Sequence, residues 1–177
     1  MGMKTNSFRL ACLAFTAALV FSLPALAQYS ETPQGTVGEA VIKSSLTVRH
    51  GGSKRVLSPR DISSLPMKTL VTITPWSEKP MTFVGPLLVD VLAAAGTLEA
   101  ASLNGLKAIA LNEFWAKIPA EDLSTVNPII AILADGAPMP VRERGPFWIV
   151  YPQSGDAESK PAWKERMVWQ LKVLDIP

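Results

Sequence analysis

The sequence predicts an α+β protein, a mixed β-sheet with short helices packed against it. Three observations carry this. Short β-branched and apolar runs, such as KTLVTITP, NPIIAILADG and PFWIVY, outnumber helical stretches. Proline or glycine punctuates most of them. The clearest helical spacing lies in one stretch, PLLVDVLAAAG.

The N-terminus carries an export pattern. Lys4 and Arg9 precede an apolar run, LACLAFTAALVFSLP, that is shorter than a membrane span and ends at Ala25-Leu26-Ala27. Residues 1–27 therefore read as a signal peptide cleaved after Ala27, residues 28–38 as a flexible lead-in, and residues 39–177 as one domain. Export to a periplasm is the expectation. Cys12, the one cysteine, would leave with the leader, so the mature chain would carry no disulfide and no thiolate. Loss of Lys4 and Arg9 leaves fifteen basic residues against fifteen acidic ones. A neutral chain gives no global reason to expect a nucleic-acid partner.

The elements follow in order. EAVIKSSLTVRH is β-branched and reads as a strand, and RHGGSK as a polar loop. Ser58 is placed to cap a short helix opened by Pro59. KTLVTITP alternates apolar and threonine positions and closes at Pro75. In MTFVGPLLVDVLAAAG, Pro86 opens a helix whose apolar face is Leu87, Leu88, Val91, Leu92 and Ala95, with Gly96 as its stop. LKAIAL is strand-like, NEFWAKIP a connection, and PAEDLS a turn or short helix. NPIIAILADG is a buried strand ending in the Asp135-Gly136 turn, PFWIVY is another, and KERMVWQLKVLDI closes the chain as a strand with Trp169, Leu171 and Val173 inward.

Catalytic signatures are sparse. His50 is the single histidine and lies in a polar stretch, where a solvated side chain is the ordinary reading. Metal-ligand clusters, phosphate loops and nucleophile elbows do not appear. Aromatic residues stand out instead. Trp148 and Trp169 read as core. Trp76, after Thr74-Pro75, and Trp115, after Asn112-Glu113-Phe114, stand where strands end. Two readings remain open for them: a stacking slot for a flat polar ring, or a rim that caps the core. Arg142 and Arg144 are two apart; if extended, they share a face while Glu143 takes the other. They are either anion readers at a pocket or a solvated charged turn.

The order of DISSLP, TLVTITPW, TFVGPLLVDVLAAAG, LNEFWAKIPAED, IIAILADGAPM, RGPFWIVYP and WKERMVWQLKVLDI resembles the molybdopterin-binding domain of the sulfite oxidase family, over residues 58–176. The resemblance implies a sulfite-oxidase-like fold. The family's enzymes hold molybdenum through a cysteine near the end of the strand that here reads Thr72-Ile73-Thr74, and threonine supplies no soft thiolate. The resemblance extends to small periplasmic relatives that bind free pterins and act with a membrane-bound signalling enzyme of the cyclic di-GMP type. It implies pterin contacts at Trp76, Asn112, Glu113, Phe114, Arg142, Arg144, Trp148 and Tyr151; Phe114 stands where a tyrosine is usual and Glu113 where an aspartate is. Trp115 joins them from the residue reading. Glu113, then Glu143, are the acids for the pterin donor edge.

A non-catalytic pterin-binding sensor with free pterin as its ligand is thus the leading expectation. A pure protein-interaction module with a filled pocket ranks second, and a molybdopterin-dependent oxidoreductase without cysteine ranks third.

Overall fold

The computed structural model describes residues 29–31, 44–152 and 161–177. The leader expected over residues 1–27, most of the lead-in and the start of the first expected strand lie outside these residues.

Strand β1 (Ser30–Glu31) pairs with the middle of the chain, Ser30 opposite Thr69 and Glu31 opposite Lys68. Tyr29 Oη donates to the Asn127 carbonyl at 3.0 Å. These three residues, expected in the flexible lead-in, are therefore held on a sheet edge. Strand β2 (Leu46–His50) turns through Gly51 and Gly52, at φ 54° and 80°, into β3 (Ser53–Leu57). Glycine adopts positive φ without the Cβ penalty, which suits a two-residue hairpin. The expected loop RHGGSK is thus a hairpin. Its second strand carries no apolar alternation in the sequence, because only Leu57 in it is buried.

Helix α1 (Pro59–Ser63) begins as its sequence predicts. Ser58 Oγ accepts from Asp61 N at 3.2 Å, and Ser58 N donates to the Asp61 carboxylate at 2.8 Å, completing a capping box. Strand β4 (Met67–Thr72) then pairs antiparallel with β5 (Met81–Pro86). MTFVGP was expected to lead into a helix at Pro86, but it is strand through Pro86, and Leu87 is the extended N-cap of α2 (Leu88–Ala94). The apolar run continues without a break from strand to helix, so periodicity does not mark the boundary. On α2, Leu88, Val91 and Leu92 are fully buried, each contributing about 2 kcal/mol over exposure. Gly96 at φ 74° ends the turn.

Helix α3 (Leu98–Asn104) buries only Ala101 fully, which explains its faint apolar signal. Strands β6 (Leu106–Ala110) and β7 (Trp115–Ile118) form a hairpin around Asn112-Glu113-Phe114, followed by α4 (Ala120–Thr125). The expected strand NPIIAILADG is divided into β8 (Ile129–Ala131) and β9 (Leu133–Ala134), then β10 (Ala137–Pro138) beyond the Asp135-Gly136 turn. Strand β11 (Trp148–Val150) pairs with β8. KERMVWQLKVLDI is not one strand: its start belongs to α5 (Pro161–Arg166), and β12 (Leu171–Ile176) follows a kink in which Gln170 has φ 49°.

The architecture is α+β. One five-stranded sheet runs β1-β4-β5-β9-β10, a second runs β3-β2-β12-β6-β7, and β11-β8 forms a two-stranded ribbon. Only the second sheet is mixed, through the parallel pair β2 and β12. The ribbon docks on the first sheet, and Ile132 N donates to the Val84 carbonyl at 2.8 Å. Gly85 permits this approach, because a Cβ there would overlap the Ile130 carbonyl.

Candidate functional site

The chain after β4 forms a locked turn. Ser77 N donates to the Thr74 carbonyl at 3.1 Å, Thr74 N donates to Ser77 Oγ at 2.9 Å, and the two hydroxyls lie 3.1 Å apart. This presents Trp76, half-buried, to two other indoles. Its ring centroid lies 4.7 Å from Trp169 and 5.9 Å from Trp148. Trp148 is buried, edge-on to Phe83 at 5.3 Å, and its Nε1 donates to the Met167 carbonyl at 3.2 Å. Aromatic clusters of this geometry are rigid, because ring packing and the indole hydrogen bond fix their rotamers.

The turn between β6 and β7 makes the facing wall. Glu113 adopts φ 65°, its N–H donates to the Ala110 carbonyl at 3.2 Å, and Phe114 N donates to Asn112 Oδ1 at 3.1 Å. Leu111 N donates to the Gln170 carbonyl at 2.9 Å, tying this turn to the segment that carries Trp169. Between the two turns lies a cavity of about 720 Å³, with Pro75, Trp76 and Trp169 on one side and Asn112 and Phe114 on another. The end of α5 and its exit, through Lys164, Glu165 and Met167, close a third. The size falls within the range of small-molecule sites, and the lining is mostly apolar with a few polar groups.

The expected site residues divide into separate groups. Trp76, Asn112 and Phe114 line this cavity. Trp115 lies beside it, in an adjoining groove of about 500 Å³ with Lys117, Glu165 and Arg166, and Lys107 Nζ sits 4.3 Å from its ring centroid. Glu143, Arg144 and Trp148 border a third, smaller hollow of about 300 Å³ beside the β9–β10 hairpin. Glu113 pairs with Lys172 at 3.2 Å on the exposed surface.

The two arginines are not on one extended face. Val141–Glu143 is a 3₁₀ turn and Arg144 is left-handed at φ 71°. Arg142 is 82% exposed and pairs with the adjacent Glu143 at 3.2 Å, whereas the Arg144 guanidinium lies over Trp148 and Trp169 at 5.4 and 5.2 Å. Extended geometry fails here because Glu143 N and Gly145 N both donate to the Pro140 carbonyl, which winds the segment.

Tyr151 lies in the core. Its hydroxyl donates to Asp122 Oδ2 at 2.7 Å, Arg166 holds both Asp122 oxygens at 2.9 and 3.1 Å, and the ring stacks on Trp163 at 5.4 Å. Burial, reinforced by the Asp122 hydrogen bond, pushes the Tyr151 hydroxyl far above the usual tyrosine range, so it stays a donor. Trp169, Lys164, Glu165 and Met167 were not among the expected contacts. The spacing of Trp163 and Met167, four apart, is a helical signal that places Lys164 and Glu165 on a helix; no comparable signal marks Trp169 as a wall residue.

The residues present do not fit a thiolate-held molybdenum. Thr72 and Thr74 are buried hydroxyl residues, and Thr72 Oγ1 is 3.4 Å from the Tyr151 carbonyl. Among the described residues, no three His, Cys, Asp or Glu side chains gather into a metal-binding group.

No family model and no curated protein matches the chain. Among solved structures it is similar to the sulfane dehydrogenase SoxCD from Paracoccus pantotrophus, with a TM-score of 0.57 and 19% identity. The match covers 82% of this chain and 43% of that one, so the chain spans less than half the length of the enzyme it resembles. The likeness is one of fold. It supports a molybdopterin-binding-like fold of the sulfite-oxidase type, and nothing finer.

Proposed function

We propose that this chain is a non-catalytic pterin-binding protein. One observation carries the reading: Trp76 from one sequence motif and Asn112 and Phe114 from another line a single cavity of about 720 Å³. The indoles of Trp76 and Trp169 offer ring faces to a flat heterocycle, and Asn112 and Glu165 offer polar groups to its edge. With threonines where a thiolate would be needed, the ligand is a free pterin and not a metal-bound cofactor. We place the protein in a periplasm, where its ligand state is read by the periplasmic part of a membrane-bound enzyme of cyclic di-GMP signalling. The motif resemblance and the leader-like N-terminus support that placement.

Calorimetric titration of the mature chain with tetrahydrobiopterin and with oxidised biopterin tests the reading. Saturable micromolar binding is expected, weakened by Phe114→Ala, whose half-exposed ring can be removed without opening the core. If none of these pterins binds saturably, the reading fails. An interaction module with a filled pocket fits less well, because the cavity between Trp76 and Asn112 is open.

A further inference from the structure

We propose that Glu165 reads the donor edge of the bound heterocycle and makes the cavity selective for 2-amino-4-oxo pteridines over 2-oxo ones. The inference rests on the pterin reading above and assigns its specificity.

The acids nearest the recognised motifs are committed elsewhere. Glu113 faces Lys172 at 3.2 Å, and Glu143 faces Arg142 at 3.2 Å. Glu165 alone among the acids lines the large cavity, and with Phe114 it also lines the adjoining groove, so the two residues stand at the junction. It has no ion pair or hydrogen bond among the described residues. Its neighbour Arg166 is taken up by Asp122, at 2.9 and 3.1 Å. Lys164 lines the same cavity wall one residue away on the helix, and among the described residues no ion pair joins it to Glu165.

An ionised carboxylate only accepts hydrogen bonds, so the complementary ligand group must donate. The pyrimidine ring of a pterin presents N3–H and a 2-amino N–H side by side, matched to two carboxylate oxygens. Hydrogen bonds to a charged acceptor are the strong ones. Asn112 supplies the complement. Its Oδ1 is occupied by Phe114 N at 3.1 Å, leaving the amide NH₂ to donate to acceptors such as the 4-oxo group. A lumazine carries a 2-oxo group in place of the 2-amino group and sets an acceptor against the Glu165 carboxylate. Lumazine keeps its N3–H but loses the second donor, so one carboxylate oxygen is left facing a carbonyl and the ligand is disfavoured.

Pterin and lumazine of the same oxidation state are titrated into the mature wild-type chain and into Glu165→Gln by calorimetry, with circular dichroism to confirm the fold. The wild type is expected to prefer pterin by about 10- to 100-fold, the range of a charged hydrogen bond. Glu165→Gln is expected to lose about tenfold or more in pterin affinity and most of the preference. Retention of wild-type affinity and preference in Glu165→Gln overturns the assignment, as does an equal loss for both ligands. Absence of saturable pterin binding by the wild type is a different result: it overturns the pterin reading itself.

Discussion

The guanidinium of Arg144 lies 5.2 Å from the ring centroid of Trp169, and Trp169 in turn meets Trp76 at 4.7 Å in the wall of the large cavity. Arg144 therefore packs against the aromatic wall of the candidate site from behind, without lining the cavity. Arg144→Ala removes the cation–π contacts and keeps the left-handed backbone, so it is expected to cost about 1 kcal/mol. Arg144→Gly removes the same contacts but suits φ 71°, and it is expected to cost less than the alanine variant. Urea midpoints rank the two; the reverse order would show that backbone strain is not part of the balance.

Arg142 is expected to behave oppositely. Its guanidinium is 82% exposed, and its pairing with Glu143 is a surface contact between adjacent residues. Exposed ion pairs contribute little, so Arg142→Ala should change stability by less than about 0.5 kcal/mol. Pterin affinity should be unchanged within error in the same calorimetric titration. A clear loss of affinity would place Arg142 in the ligand site despite its distance from the cavity walls.

These two arginines show where sequence reading stopped. The segments were legible wherever one chemical signal dominated: the Ser58 cap, the alternating β4, the buried face of α2. Of the expected site residues, Trp76, Asn112 and Phe114 line the one candidate cavity, on turns whose own hydrogen bonds hold them in place. What was not legible leaves no periodic mark in the sequence, whether its cause is a local turn or distant packing. The Pro140 carbonyl winds the segment, Val141–Glu143 as a 3₁₀ turn and Arg144 left-handed, which separates Arg142 from Arg144, and no periodicity in VRERG announces it. Tyr151 directly follows β11, yet its hydroxyl meets Asp122, which lies 29 residues away. Glu165 reaches the cavity only because α5 interrupts what reads as one strand.

The capping box of α1 predicts an acid-sensitive increment of stability. The backbone N–H of Ser58, then its hydroxyl, hold the exposed Asp61 carboxyl below the usual carboxylate range. A depressed folded-state pKa stabilises above the unfolded value, about 3.9, and that stability is lost as pH falls through the lower folded value. Asp61→Asn should therefore lower stability at neutral pH and converge on the wild type at pH 2. Urea unfolding at the two pH values measures this; an equal difference at both would mean the carboxylate charge plays no part.

Gly85 is expected to tolerate no side chain. A Cβ there meets the Ile130 carbonyl from the ribbon strand β8; Gly85 is held by the β4–β5 pairing and Ile130 by the β8–β11 pairing, so neither backbone retreats without disturbing a sheet. Gly85→Ala should cost about 3 kcal/mol or more, at the upper end of overpacking effects. Thermal unfolding checks this, with Gly136→Ala as a comparison, since its Cβ meets nothing within 4 Å although its φ of 80° adds strain.

The Asp122 carboxylate holds together three parts of the molecule: its own helix α4, Tyr151 at the end of β11, and Arg166 at the end of α5. Asp122 is buried and Arg166 is one-quarter exposed. Removing one member of such a pair leaves the other charge desolvated without compensation. Asp122→Ala is therefore expected to cost about 3 kcal/mol. Tyr151→Phe leaves the ion pair intact and should cost about 1 kcal/mol. The position of α5 depends on the same contact, and α5 carries Glu165. Asp122→Ala should therefore also reduce pterin affinity at a temperature where the variant remains folded, while Tyr151→Phe leaves affinity near wild type. Equal affinities in the two variants would show that the Arg166 anchor does not position the cavity wall.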